Sequence, residues 1–211
     1  MTGGTSTLKV RDLTVAFGQV VAVRDISVTA RQGETVAIFG ANGSGKTTFL
    51  KAVAGLVPAT RGKVAWRGED VTALPAHERA ARGMRYVSDR SRVATRMTVL
   101  ENLEAGAWLL PASRWSAARE RVFSLFPALA EKARAPAGVL SGGERQMLIL
   151  DEIFSALSAA DEEELMALLR AENRDGGTAF LLVSHNPPLL KSLCRRILVL
   201  GEGRIVRERT I

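Results

Sequence analysis

The chain has 211 residues, of which 46% are hydrophobic, 24% charged and 5% aromatic, enough for one domain with a sizeable core. Fractions so close to average exclude a disordered tail, a collagen-like fibre and a coiled-coil rod. The 29 Lys+Arg against 22 Asp+Glu give a formal charge of +7, which fits either anionic partners or a solvated basic surface. Cys194 is the single cysteine, so neither an intramolecular disulfide nor a cysteine-built metal cage can form. The opening residues MTGGTST lack a secretory pattern, and no apolar stretch approaches the roughly 20 residues of a membrane-spanning helix. The expected location is cytoplasmic, with any membrane role borrowed from another subunit.

Two β segments are expected first, one through Leu8, Val10, Leu13, Val15 and Phe17, the next through Val21, Val23, Ile26 and Val28, broken at Gly18-Gln19. After a turn at Gln32-Gly33, Glu34–Phe39 is a short apolar run of the kind buried in parallel sheets. A glycine-rich loop, Gly40–Gly45, precedes a helical pattern over Lys46–Ala54 that stops at Gly55. Lys63–Trp66 reads as a strand, and Pro75 opens a helix. Beyond Arg90 the texture turns helical, with stripes through Val99, Leu103 and Ala107 and over Trp115–Leu125, punctuated by Pro111, Pro127 and Pro136. The α/β texture returns with strands at Met147–Leu150, Ala179–Ser184 and Arg196–Leu200, and with helices at Asp161–Arg170 and Pro188–Leu193. Gly201-Glu202-Gly203 is a hairpin turn into Arg204–Glu208.

Gly40-Ala41-Asn42-Gly43-Ser44-Gly45-Lys46-Thr47, followed by Thr48, matches G-x-x-x-x-G-K-[ST] between an apolar strand and a helix. Glycines let the backbone wrap closely enough for successive N–H groups to face a phosphate, and the helix adds its positive end. Lys46 is expected to neutralise the β- and γ-phosphates, and the Thr47 hydroxyl to help hold Mg²⁺. By itself this loop specifies only a nucleoside triphosphate.

The second motif is Leu140-Ser141-Gly142-Gly143-Glu144, across the helical segment. Together the two resemble the ATP-binding cassette (ABC) ATPases, and within them the cytoplasmic subunits of branched-chain amino-acid importers. Softer matches are Phe17-Gly18, Gly68–Thr72 with Leu74–His77, and Thr98-Val99 with Glu101-Asn102-Leu103. The resemblance implies an α/β P-loop NTPase core with an N-terminal antiparallel β region and an inserted helical subdomain. The implied division is residues 1–89 and 147–211 for the core and 90–146 for the insertion. It implies ATP and Mg²⁺ as ligands and ATP hydrolysis as the activity. Its implied partners are a second ABC ATPase subunit and transmembrane permease subunits, at the inner face of the plasma membrane; nucleic acid is not an expected partner.

Carried over by residue, the resemblance makes Phe17 an adenine-stacking aromatic, with an ordinary strand residue as the alternative. Leu148–Glu152 looks like Walker B, which would put Asp151 on Mg²⁺ and make Glu152 the general base on the attacking water. His185 matches the histidine that contacts the γ-phosphate, whereas His77 is expected at the surface. Asp89 stands where the family has Gln or Glu, as a candidate for Mg²⁺ or its water. Arg90, Arg92 and Arg96 face either a membrane partner or solvent. Ser141, Gly142, Gly143 and Glu144 would complete the ATP site of a partner cassette.

The chain departs from the family between signature and Walker B. Only Glu144, Arg145 and Gln146 separate Gly143 from Met147, too few for one helical turn, so roughly a dozen residues are missing, about one average helix. Ile153 replaces the usual Pro, Ser158 the usual Asp, and the chain stops at Ile211 without the usual helical tail. A signature without its helix loses the aligned N–H groups of an anion site. The alternative to a full motor is therefore a degenerate cassette that binds ATP but hydrolyses it poorly.

Overall fold

The computed structural model describes residues 6–84, 86, 93–108, 111–140, 170, 173–174, 179–183 and 194–210. The chain divides into two compact units, Met1–Tyr86 with Glu163–Ile211, and Val87–Glu162.

In the first unit, β1 (Ser6–Phe17) and β2 (Val20–Arg31) form a long antiparallel pair. Leu8, Val10, Leu13 and Val15 are buried, as are Val23, Ile26 and Val28, so the period-2 pattern slips once in each strand. The slips fall at Asp12 and Asp25, both with φ of 48°, where an extra residue re-phases the strand. The Ser27 hydroxyl donates to the Asp12 carboxylate at 2.9 Å, and the Thr14 hydroxyl to Asp25 at 3.0 Å. β4 (Arg61–Trp66) pairs with β1, and β5 (Glu69–Asp70) with β4, giving an antiparallel sheet in the order β2-β1-β4-β5.

The second sheet has the order β6-β3-β7-β8. Its centre, β3 (Thr35–Gly40), runs parallel to β6 (Phe180–Val183) and β7 (Arg196–Gly201). β8 (Arg204–Thr210) closes the edge antiparallel to β7. Val36, Ala37 and Ile38 are all fully buried, as an unbroken apolar run in a parallel sheet requires. One core joins both sheets to Phe49, Ala52 and Val53 of α1 (Lys46–Val53). Cys194 packs with Ala37 on the other face, where burial pushes its thiol up to about 12 and keeps it protonated.

Arg79 belongs to α2 (Ala76–Ala81) and was not foreseen. Only 3% exposed, it donates to the carbonyls of Ala52, Val53, Thr72 and Leu74 at 2.6–3.0 Å. Two of these end α1, so the guanidinium caps the negative end of the helix that follows the glycine loop. Arg79→Ala will cost about 3 kcal/mol in urea unfolding, because four carbonyls lose a charged donor, two of them at buried contacts. Pro75, expected to open the helix, stands at its N-cap, one residue before the first helical position.

The second unit holds α3 (Val99–Gly106), α4 (Ala112–Leu125) and α5 (Pro127–Glu131). Val93, Val99, Leu129, Ala137 and Leu140 form its core. Thr98 and Glu101 make a reciprocal capping box at the start of α3, and the Thr98 amide and hydroxyl hold the Glu101 carboxyl below its ordinary range. The Asn102 amide donates to the carbonyls of Ala94, Met97 and Thr98 and accepts from the Ala94 N–H, tying the loop to the helix. Thr-Val…Glu-Asn-Leu is thus a helix-start device. Asn102→Ala is expected to lower stability by about 1–2 kcal/mol, read by thermal denaturation.

The expected strand over Met147–Leu150 and helix over Pro188–Leu193 lie outside the described residues, as does all of the expected Asp161–Arg170 helix except Arg170.

Candidate functional site: the glycine loop

Gly40 ends β3 and Lys46 begins α1, so strand and helix clamp the loop at both ends. Gly40 and Gly45 are obligatory. A Cβ on Gly40 would stand 2.4 Å from the Leu200 carbonyl oxygen, and one on Gly45 2.5 Å from that of Ala22. Gly43 has φ of 79° and open space around it. Ala41, Asn42 and Thr47 are exposed and Thr48 is half-buried.

Lys46 is 7% exposed, and its ammonium donates to the Gly40 and Ala41 carbonyls at 2.8 Å each. Among the described residues no carboxylate pairs with it. A buried ammonium whose described partners are two carbonyls offers its charge to an anion. Burial lowers the Lys46 pKa from its ordinary value. The Ser44 hydroxyl is buried without a hydrogen-bond partner among the described residues. Backbone amides, one cation, an orphan hydroxyl and no room for Cβ atoms fit a polyphosphate tail and the positive end of a helix.

Phe17, 54% exposed, stands at the β1–β2 turn, and its partner across the turn is Val20, 67% exposed. Val20 was missed in the sequence, although a two-residue turn at Gly18-Gln19 already sets 17 opposite 20. His77 and Arg96 are exposed. Asp89, Arg90, Arg92, Ser141, Gly142, Gly143, Glu144, Asp151, Glu152 and His185 lie outside the described residues.

The ABC transporter family profile matches residues 23–158, more than half of the chain and inclusive of the glycine loop. The chain belongs to the ABC transporter family. It is an ATP-binding P-loop cassette of the ATPase class. A high-affinity branched-chain amino acid transport ATP-binding protein of Pseudomonas aeruginosa is 33% identical over 207 residues, covering 92% of this chain and 88% of that one. The lipopolysaccharide export ATP-binding protein of Haemophilus influenzae is 30% identical, covering 97% and 91%. That alignment runs over 224 residues, longer than this whole cassette, so some positions of the relative have no counterpart here. Among solved structures, the ATP-binding subunit of an ABC transporter superposes with a TM-score of 0.85 at 22% identity, covering 98% of the cassette and 90% of that chain. A dimeric post-hydrolysis ATP-binding cassette bound to ADP and Pi gives 0.82 at 22% identity, covering 96% and 98%. These two likenesses establish the α/β cassette fold. Among the described residues no helix is long and apolar enough to cross a membrane.

Proposed function

We propose that this cassette is the ATP-binding and ATP-hydrolysing subunit of a branched-chain amino-acid importer, in which nucleotide binding outlasts efficient hydrolysis. The observation that carries the binding half is the buried Lys46 ammonium, held by two carbonyls and no described carboxylate. The amides of Gly43–Thr48 cradle the phosphates, Lys46 takes their charge, and Phe17 with Val20 covers the adenine. Mg²⁺ neutralises phosphate charge when bound; Thr47, Asp151 and Asp89 are its proposed holders. Glu152 orients and deprotonates the attacking water, and His185 contacts the γ-phosphate. Residues 1–89 and 147–211 form the catalytic core, and 90–146 the helical subdomain.

A second cassette supplies Ser141–Glu144 in trans, so ATP joins two cassettes against permease subunits at the inner membrane face. The importer assignment is supported by the 33% identity to the Pseudomonas protein, while similarity to lipopolysaccharide-export cassettes names the competing substrate class. Labelled leucine uptake in cells lacking this chain tests the substrate: restoration by the wild type but not by Lys46→Ala is expected. Unchanged uptake after deletion overturns the amino-acid assignment.

The reduced hydrolysis rests on the short Gly143–Met147 connection. Mg-ATP affinity and phosphate release, measured side by side on the purified chain, separate binding from turnover.

A further inference from the structure

Three main-chain segments far apart in sequence meet beneath the glycine loop. At the tip of the β7–β8 hairpin, Glu202 and Gly203 have φ of 50° and 77°, the double positive φ of a type I′ turn. The Gly203 N–H donates to the Ser44 carbonyl at 3.2 Å, and the Gly203 carbonyl accepts from the Arg24 N–H of β2 at 2.7 Å. A Cβ on Gly203 would lie 2.7 Å from the Ala22 carbonyl oxygen, the same atom that bars a Cβ on Gly45. Further back along the hairpin, Leu200 pairs with Gly40, and its carbonyl closes the space beside that glycine. The hairpin therefore braces the loop at its entrance and again at Ser44-Gly45.

We propose that Gly203 is a positioning residue for phosphate binding: its N–H fixes the Ser44–Gly45 peptide plane and so aims the Gly45 N–H at the phosphates. The reason is the geometry of a trans peptide, whose carbonyl and N–H point in opposite directions. Holding the Ser44 carbonyl toward the hairpin turns the Gly45 N–H away from it. A glycine loop has little intrinsic preference for either orientation, so an outside donor must select one. The same Gly203 is bonded to β2, four residues beyond Val20, so the brace also fixes the loop relative to the strand that carries the adenine platform. This inference rests on the phosphate-site reading above.

The test uses the full chain, with Mg-ATP and inorganic tripolyphosphate as separate probes in calorimetric titration. Gly203→Ala adds a Cβ where none fits; it is expected to weaken both probes at least tenfold while far-UV circular dichroism stays native. Glu202→Gly alters the same turn without touching the loop, and is expected to leave both affinities unchanged. Because Gly203→Ala risks misfolding, a second variant removes only the donor. The chain is ligated at Cys194 from a recombinant 1–193 thioester and a synthetic 194–211 peptide, with the residue-203 amide replaced by an ester, and then refolded. That ester is also expected to weaken both probes several-fold, against an all-amide chain ligated in the same way. Wild-type affinity in the folded ester chain overturns the inference, as does an equal loss in Glu202→Gly, which would reduce the effect to hairpin stability. Failure of the wild-type chain to bind either probe overturns the phosphate-site reading itself, and the positioning role with it.

Discussion

Lys46→Ala will weaken Mg-ATP binding about a hundredfold or more, with tripolyphosphate affinity falling in parallel. The ammonium sits in a buried cradle with two carbonyl acceptors at 2.8 Å and no described carboxylate to compete for it. A charge-assisted contact of this kind is worth about 3 kcal/mol, or about two orders of magnitude in Kd. Lys46→Met, which keeps the packing and removes the charge, should lose nearly as much; equal affinities for wild type and Lys46→Met would refute the electrostatic account. The pH dependence has a definite sign. Burial lowers the folded-state pKa below the ordinary value of 10.5, so the ammonium deprotonates earlier in the folded chain than in the unfolded one. Affinity should therefore fall as pH rises through that lowered value, and the fall should be missing in Lys46→Met. Without nucleotide, stability moves the opposite way: between the lowered pKa and 10.5 the unfolded chain holds more protons, so this lysine raises stability as pH rises.

Lengthening the signature segment will raise turnover without changing nucleotide affinity. Three residues, Glu144–Gln146, separate the signature glycines from the apolar run that begins at Met147. Inserting about a dozen residues of helix-forming sequence after Gln146 restores a mount for aligned N–H groups. Phosphate release should rise at least tenfold, with Mg-ATP affinity unchanged within a factor of two. Glu152→Gln should then remove the gain, since the added turnover runs through the water that Glu152 activates. If release from the unmodified chain already matches its insertion variant, the missing segment does not limit hydrolysis.

What the sequence reveals here is what short-range chemistry can dictate. Gly40–Thr47 reads as a phosphate loop because its residue types restrict the backbone over eight consecutive positions, and the structure places it between β3 and α1. The β7–β8 hairpin is legible from Gly201-Glu202-Gly203, and α1 from its periodicity and its stop at Gly55. The strand slips at Asp12 and Asp25 are not legible, since an extra residue in a strand leaves an apolar pattern that only pairing can interpret.

Nothing in the sequence sets Arg79 apart from the chain's other arginines. Its burial is decided by Ala52, Val53, Thr72 and Leu74, whose carbonyls the fold gathers around one guanidinium. Likewise, Gly203 is recognisable as a turn residue, yet its contact with Ser44 spans most of the chain and is made by backbone atoms that every residue shares. The sequence alone determined the phosphate loop and the family, because side-chain identity and local dihedral preference suffice for them. The tertiary structure alone decided which carbonyls Lys46 and Arg79 face and what braces the loop, because those contacts exist only once distant main-chain segments are packed together.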